Sequence, residues 1–289
     1  MGRSAGEVVD APAGAAEGGI NVGYNTKIDW CDSSWNPVTG CQHDCEYCYA
    51  RSLANRYGGF DHDEDKNPVD TQFAIGVQEL DKPKHIMRKN GLHKAPYPWF
   101  FLPTLHRYRL DQPTKWSEPR TIFVCSMADL FGEWVPDGWI EEVISACLAA
   151  PQHRYLFLTK NPKRYLQLIG SGVIPEGQQN FWFGSTTTRP EMEFFWSENV
   201  NTFVSIEPIL APFKNLTDKG VKAASKTKWI IVGAETGRRS EKVAPKKAWI
   251  DEIAAACKDA GIPLFMKESL RKIMGDDFRQ EFPWGGEKK

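Results

Sequence analysis

V-T-G-C-Q-H-D-C-E-Y-C-Y-A, residues 38–50, sets three thiols, Cys41, Cys45 and Cys48, within eight positions, with gaps of three and two. Thiolates are soft, strong iron ligands, and three that converge can hold three irons of a [4Fe–4S] cube. The fourth iron is then left open. A pure electron carrier normally closes its cluster with a fourth Cys, so an open iron suits a reaction centre. Two other readings compete. A structural zinc site wants four N or S donors in a tetrahedron, and His43 or Cys31 can supply the fourth. Such sites usually pair two C-x2-C knuckles, and the chain has no second one. A disulfide staple fits poorly, because seven Cys is an odd number and nothing marks secretion.

The C-x3-C-x2-C spacing, with the aromatic Tyr47 just before the last Cys, resembles the signature of the radical S-adenosylmethionine (SAM) superfamily. The surrounding words T-K-I-D-W (26–30), W-N-P-V-T-G-C (35–41) and S-M-A-D-L-F (126–131) resemble the phage Gp37/Gp68 family, a DUF5131-like group within it. The match continues through L-T-K-N-P, S-I-E-P and I-I-V-G-A-E-T and covers roughly residues 26 to 270. The resemblance implies that Cys41, Cys45 and Cys48 are the metal ligands and the core of the catalytic site. It implies a SAM molecule chelated to the open iron through its amino and carboxylate groups. It also implies an external one-electron reductant, such as flavodoxin or ferredoxin, and release of a 5′-deoxyadenosyl radical.

Length and composition set bounds. A chain of 289 residues with 41% hydrophobic residues can form one large α/β domain. Lys+Arg of 36 against Asp+Glu of 37 leaves a formal net charge of −1, so a long grip on duplex DNA is not expected. Any nucleic-acid contact is local, or the substrate is a nucleobase or nucleotide. With no run of 18 apolar residues and no secretory h-region, the expectation is a cytoplasmic monomer with no membrane partner.

Along the chain, residues 1–24 are Gly- and Ala-rich without periodicity and read as a disordered leader. Residues 25–289 form the barrel domain. After Cys48 the run Y-A-R-S-L-A-N-R-Y reads as a helix ending at Gly58-Gly59. Residues 58–120 read as an irregular insertion with one helix near 77–90, forming a cap over the barrel mouth, and His62, Asp63 and Asp65 as an exposed acidic loop. From residue 121 apolar strands and helices alternate. Strands are expected at T-I-F-V-C-S, R-Y-L-F-L-T-K, F-W-F-G-S-T-T, T-F-V-S-I-E and K-W-I-I-V-G-A-E, which with a short strand within 26–37, ahead of Cys41, make six, and P-L-F-M-K is a possible seventh within a C-terminal extension, 262–289. Helices are expected over 137–150, 162–169, 190–198 and 246–260. Repeated strand–helix units imply a parallel sheet. The strand pattern also suits a doubly wound sheet; the cysteine loop decides for the partial (βα)6 TIM-like barrel that the radical SAM resemblance implies.

Polar residues at the C-terminal ends of barrel strands face the site. By analogy with the superfamily, Ser126 and Asp129, in the turn that replaces its glycine-rich word, meet the SAM amino group. Lys160 ends an apolar strand and needs a charge partner, which makes it the expected contact of the SAM carboxylate. Ser185 and Glu207 are expected at the ribose hydroxyls, Tyr47 against adenine, and Glu235 as a further cofactor contact. Cys31 and Cys125 read as buried small hydrophobes. Arg238, Arg239, Lys242, Lys246 and Lys247 read as a solvated basic run, with phosphate binding as the competing reading.

The expected function is therefore hydrogen abstraction from an unactivated C–H bond. The phage resemblance implies nucleobase chemistry, namely isomerisation of an amino-acid-decorated thymidine during DNA hypermodification. A lyase or repair activity on a pyrimidine lesion is the rival, since spore photoproduct lyase, which repairs a thymine dimer, resembles this chain in its strand-end words. A non-enzymatic nucleic-acid-binding module with a structural zinc or iron–sulfur site is the alternative from another class.

Overall fold

A computed structural model of the chain describes residues 26–70, 74–213, 226–237 and 239–285. The expected leader lies outside them. The sheet at its centre is seven-stranded and parallel throughout: β1 (Ser33–Trp35), β7 (Thr121–Val124), β8 (Arg154–Thr159), β9 (Phe181–Thr187), β10 (Asn201–Ile206), β11 (Ile230–Val232) and β12 (Leu264–Met266), adjacent in that order. The P-L-F-M-K run is thus the seventh strand. Helices α2 (Asp137–Leu148), α3 (Lys163–Gly170) and α4 (Lys247–Ala260) link consecutive strands, and α4 ends on Gly261 in the left-handed conformation.

Strand alternation sorts the side chains into two layers. Ile122, Val124, Tyr155, Phe157, Phe181 and Phe183 face α2 and α3, whereas Val204, Ile206, Ile230, Val232, Leu264 and Met266 pack with α4. The opposite face carries Phe123, Leu156, Trp182, Phe203, Ile231 and Phe265, one per strand, in a single apolar cluster with Trp30 and Trp229. That cluster requires a curled sheet. Trp30 precedes β1 and Trp229 precedes β11, five strand spacings away, or roughly 24 Å on a flat sheet. Their ring centroids are 6.4 Å apart. The segment ahead of β1 also reaches the far edge, where Asp29 Oδ2 accepts from the Glu268 amide at 2.7 Å. The result is a half-barrel whose open side is filled by residues 26–32.

The insertion differs from expectation. The helix near 77–90 does not form. Instead β3 (Gln78–Leu80) joins β2 (Val38–Thr39) and β6 (Thr104–His106) in a small sheet, and β4 (His85–Arg88) pairs with β5 (Gly91–Lys94) as a hairpin. Pro83 interrupts the helical run, and Asn90-Gly91 is a hairpin turn signal. The helix near 190–198 is also absent. Pro190 starts a loop whose Phe195 packs into the core and donates its amide to Ser185 Oγ at 2.9 Å. The helix after Cys48 is α1 (Tyr49–Tyr57). In the expected acidic loop, Asp63 Oδ1 accepts the amides of Asp65 and Asn67 and so closes the turn on itself.

Gly184 in β9 faces the inner layer, and a Cβ there would run into the ring of Phe203. Overpacking of this kind costs about 1–3 kcal/mol. Gly184→Ala is therefore expected to lower unfolding free energy by that amount in denaturant titrations. Gly138→Ala, in helix α2 with open space at the Cβ, should instead stabilise by up to about 1 kcal/mol. Equal stability of the two variants would contradict the packed inner layer.

Candidate functional site

Above the aromatic layer, at the C-terminal ends of the strands, lies a cavity of about 250 Å³. Cys41, Cys45 and Cys48 all line it, with Tyr47, Ser126, Asp129, Lys160, Glu207 and Glu235. Its apolar wall is Ile28, Trp30, Phe101, Phe123 and Leu158. Among the described residues no other cysteine borders it.

The loop carrying the cysteines is fixed from both sides. The Gly40 amide donates to the Met127 carbonyl at 2.9 Å, and the Cys41 amide to that of Phe101 at 3.2 Å. Gly40 has φ +85°, and a Cβ there would overlap the Leu102 carbonyl, so the approach of insertion to loop demands glycine. At the other end Cys48 caps α1, its sulfur accepting from the Arg51 amide at 3.4 Å. Arg51 also pairs with Asp44, and Arg239 with Glu46, so both acids flanking Cys45 are held by arginines. Burial pushes the Cys41 thiol up to about 12, with Asp129 adding to the effect.

Asp129 is the acid that joins the cysteine loop to the sheet. It is 5% exposed, and its Oδ2 accepts from His43 Nε2 and from the Lys160 amide, both at 2.9 Å. Its Oδ1 accepts from the Phe131 amide at 3.1 Å. Burial alone would raise its pKa, but these donors hold the carboxyl below its ordinary range. Asp129 thus ties the cysteine loop to the ends of β7 and β8, and its oxygens already have partners. Ser126 Oγ bonds Asn36 Oδ1 at 3.2 Å, and Asn36 Oδ1 also accepts the Met127 amide. Cys125 packs in the outer core with φ +59°, which leaves Ser126 on the cavity.

Lys160 reaches over the Tyr47 ring, its Nζ 5.8 Å from the centroid. The Tyr47 hydroxyl is raised by burial and then by its hydrogen-bonded neighbour Cys45. Ser185 does not line the cavity. Its hydroxyl faces outward to the Phe195 amide, and Thr186, one residue on, takes the inward position. Ser205, a strand end expected to face the site, lines the cavity, whereas sequence reasoning missed Thr186 and Lys267. Lys267 follows β12 as Lys160 follows β8, and its Nζ meets Glu207 Oε2 at 2.7 Å. Burial would lower the Lys267 pKa, but Glu207 and Asp29 raise it, so the ammonium stays charged. Three buried oxygens on the cavity residues have no partner: Ser205 Oγ, Glu207 Oε1 and Glu235 Oε2.

Of the basic run, Arg239 is drawn to Glu235 at 3.4 Å as well as to Glu46, and Lys247 pairs with Asp251 and Asp277, both at 2.8 Å. Arg238 lies outside the described residues. Arg239 and Lys247 are thus paired with neighbouring acids, while Lys246 lies over the Trp249 ring at 5.9 Å.

Residues 25–273 match the family of proteins of unknown function DUF5131. The chain belongs to that family. No curated protein sequence matches this DUF5131 member. Among solved structures it is similar to spore photoproduct lyase complexed with dinucleoside spore photoproduct, at 11% identity and a TM-score of 0.39, over 75% of this chain and 62% of that one. A mutant form of the same lyase gives 10% identity and 0.39, over 78% and 64%. The chain spans less than two thirds of the length of those structures, and at so slight a likeness nothing of that enzyme's chemistry transfers. Among the described residues no helix is long and apolar enough to cross a membrane.

No three His, Cys, Asp or Glu side chains among the described residues are grouped to hold a single metal ion. A zinc ion needs its donors around one point, whereas His43 is bonded to Asp129 and Cys31 lines a different cavity. A [4Fe–4S] cube presents separate irons to separate thiolates. Cys41, Cys45 and Cys48 border one cavity, with no fourth cysteine in its described lining, and are of the donor type such a cube takes.

Asp129→Ala would strand two backbone N–H groups and His43. It is expected to cost about 3 kcal/mol or more of unfolding free energy in urea, with Asp129→Asn losing less because one acceptor oxygen remains. Wild-type stability in the alanine variant would remove Asp129 from this role.

Proposed function

We propose that the chain is a radical SAM enzyme allied to the Gp37/Gp68 group, acting on a nucleobase-type substrate. The observation supporting this is the meeting, in one cavity, of three thiols with a cation and three unpartnered buried oxygens. Buried acceptors without donors are costly, so a ligand that supplies donors or positive charge is the simplest explanation for their retention. SAM supplies an ammonium, a sulfonium and a ribose diol, and offers a carboxylate in return.

Cys41, Cys45 and Cys48 would hold the [4Fe–4S] cluster, which when bound and reduced supplies the electron that splits SAM to a 5′-deoxyadenosyl radical. Lys160 is assigned the SAM carboxylate, and Tyr47 beside it the adenine face. Ser205 and Glu235 are assigned the donors of the amine and diol, in place of Ser185. Ser126 borders the amino-group position, and Asp129 acts through His43 and the Lys160 amide rather than by contact. Glu207 keeps Lys267 charged and turns its second oxygen to the ligand. The apolar wall of Ile28, Trp30, Phe123 and Leu158 excludes water from the reacting atoms. The same abstraction serves isomerisation of an amino-acid-decorated thymidine or cleavage of a pyrimidine lesion, and product mass distinguishes them.

Anaerobic reconstitution with iron and sulfide, then SAM and dithionite, is expected to yield brown protein and 5′-deoxyadenosine. Cys45→Ala should abolish both. Lys160→Met should retain the colour while raising the SAM Kd at least tenfold, or about 1.4 kcal/mol. Stoichiometric zinc in anaerobically purified protein, with no SAM cleavage, would overturn the proposal in favour of a binding module.

A further inference from the structure

The insertion carries a surface that the proposed chemistry leaves unused, where α1 ends near the β4–β5 hairpin. Gly58, just past the helix, bridges to Tyr97, and the Gly59 amide donates to the Tyr97 carbonyl at 3.0 Å. Three residues on lies Phe100, the one aromatic side chain among the described residues with a positive φ, +56°. Phe100 is 47% exposed. A Cβ at position 58 would come within 2.6 Å of Phe100 Cδ1, so the glycine lets this ring lie directly on the helix end. Core packing does not account for an aromatic residue that takes a costly backbone conformation and still leaves its ring half in water. The next residue, Phe101, lines the cysteine cavity, and its carbonyl accepts the Cys41 amide. The exposed ring is thus one residue from that cavity's wall.

The same helix end is cationic. Arg56 and Arg88 both hold their guanidiniums by the Tyr57 ring, 5.2 and 5.7 Å from its centroid. One belongs to α1 and the other to β4, so a single ring gathers two charges from separate elements. Lys89 follows in the hairpin turn and is exposed. Residues 82–95 contain no acid, and neither does α1. Nearby carboxylates are taken: Glu64 pairs with Lys84, and Asp61 Oδ1 accepts the Met87 amide and bonds His62. Among the described residues no carboxylate is paired with Arg56, Arg88 or Lys89.

Guanidiniums held on a ring suit phosphate oxygens, and an exposed, fixed ring suits the face of a base. A single strand offers both, whereas a duplex hides its base faces. Three cations also agree with a net charge of −1, which allows only a short grip. We infer that this surface binds the flanking nucleotide of a single strand, with its base on Phe100 and its phosphates on Arg56 and Arg88. The inference rests on the nucleobase reading of the cysteine cavity and narrows it. The reacting base enters that cavity as part of a polynucleotide, not as a free nucleotide.

The test uses the full chain without cluster or SAM and a fluorescein-labelled thymidine strand of about eight nucleotides, followed by anisotropy over a range of salt. Saturable binding is expected, with log Kd rising by about 1.4 to 2 per decade of salt for two or three phosphate contacts. Phe100→Ala should raise Kd about tenfold and keep that slope. Arg56→Gln and Arg88→Gln should each raise Kd and cut the slope by about 0.7. If Phe100→Ala fails to fold, the arginine pair decides. Thymidine 5′-monophosphate at the strand's concentration should not displace it. Binding with these dependences supports the surface even where reconstitution yields no 5′-deoxyadenosine, a result that counts against the cavity reading alone. Absence of saturable binding, a slope unchanged in both arginine variants, equal affinity for a duplex, or displacement by the mononucleotide would overturn the inference. So would binding of an acidic flavodoxin to these residues in place of the strand.

Discussion

A carboxylate removed from water must be fully matched by donors, and the Asp129 side chain meets that demand by drawing three pieces of the chain onto one group. The Phe131 amide fixes its own turn, the Lys160 amide brings in the end of β8, and His43 brings in the cysteine loop. Without a shared acceptor these segments have no reason to adopt one arrangement. With it, the loop bearing Cys41 and Cys45 is referenced to the barrel rather than to solvent. The wording S-M-A-D-L-F is thereby explained in part by architecture: the acid organises the mouth, and the neighbouring Ser126 is left to border it.

Strand parity does the rest. Because successive side chains alternate, five of the six strands that contribute an aromatic or aliphatic residue to the inner layer contribute a polar one two or four positions later, β7 departing from this at the left-handed Cys125. Phe203 leads to Ser205 and Glu207, Leu156 to Leu158 and Lys160, Ile231 to Glu235, and Phe265 to Lys267. A dry floor and a polar rim thus follow from a single periodicity, and the curl turns a row of such ends into a ring.

The strands were legible because a sheet covered on both faces writes continuous β-branched and aromatic runs, and six of the seven fall where those runs lie, whereas β1 is the short Ser33-Ser34-Trp35 ahead of the cysteine loop. The same continuity hid parity. In F-W-F-G-S-T-T nothing apolar marks which alternate set is inward, so Ser185 was assigned to the site that Thr186 borders. Lys267 was missed although it obeys the logic applied to Lys160, because β12 looked dispensable to the barrel. In the insertion, helix-favouring Gln, Glu, Leu and Lys outweighed Pro83 and the Asn90-Gly91 turn, whereas tertiary pairing with β6 decided the outcome. The cysteine loop was legible from spacing, but its restraints by Phe101, Met127 and Asp129 come from distant parts of the chain.

One ring has a place in two cavities. Trp30 borders the cavity of the three thiols and also the one lined by Cys31, Arg120 and Arg154. The packed inner layer lies between the two cavities, and Trp30 is the one residue of it that both touch. A smaller side chain at position 30 would therefore thin the partition at the point where a single indole separates the two ends of the half-barrel.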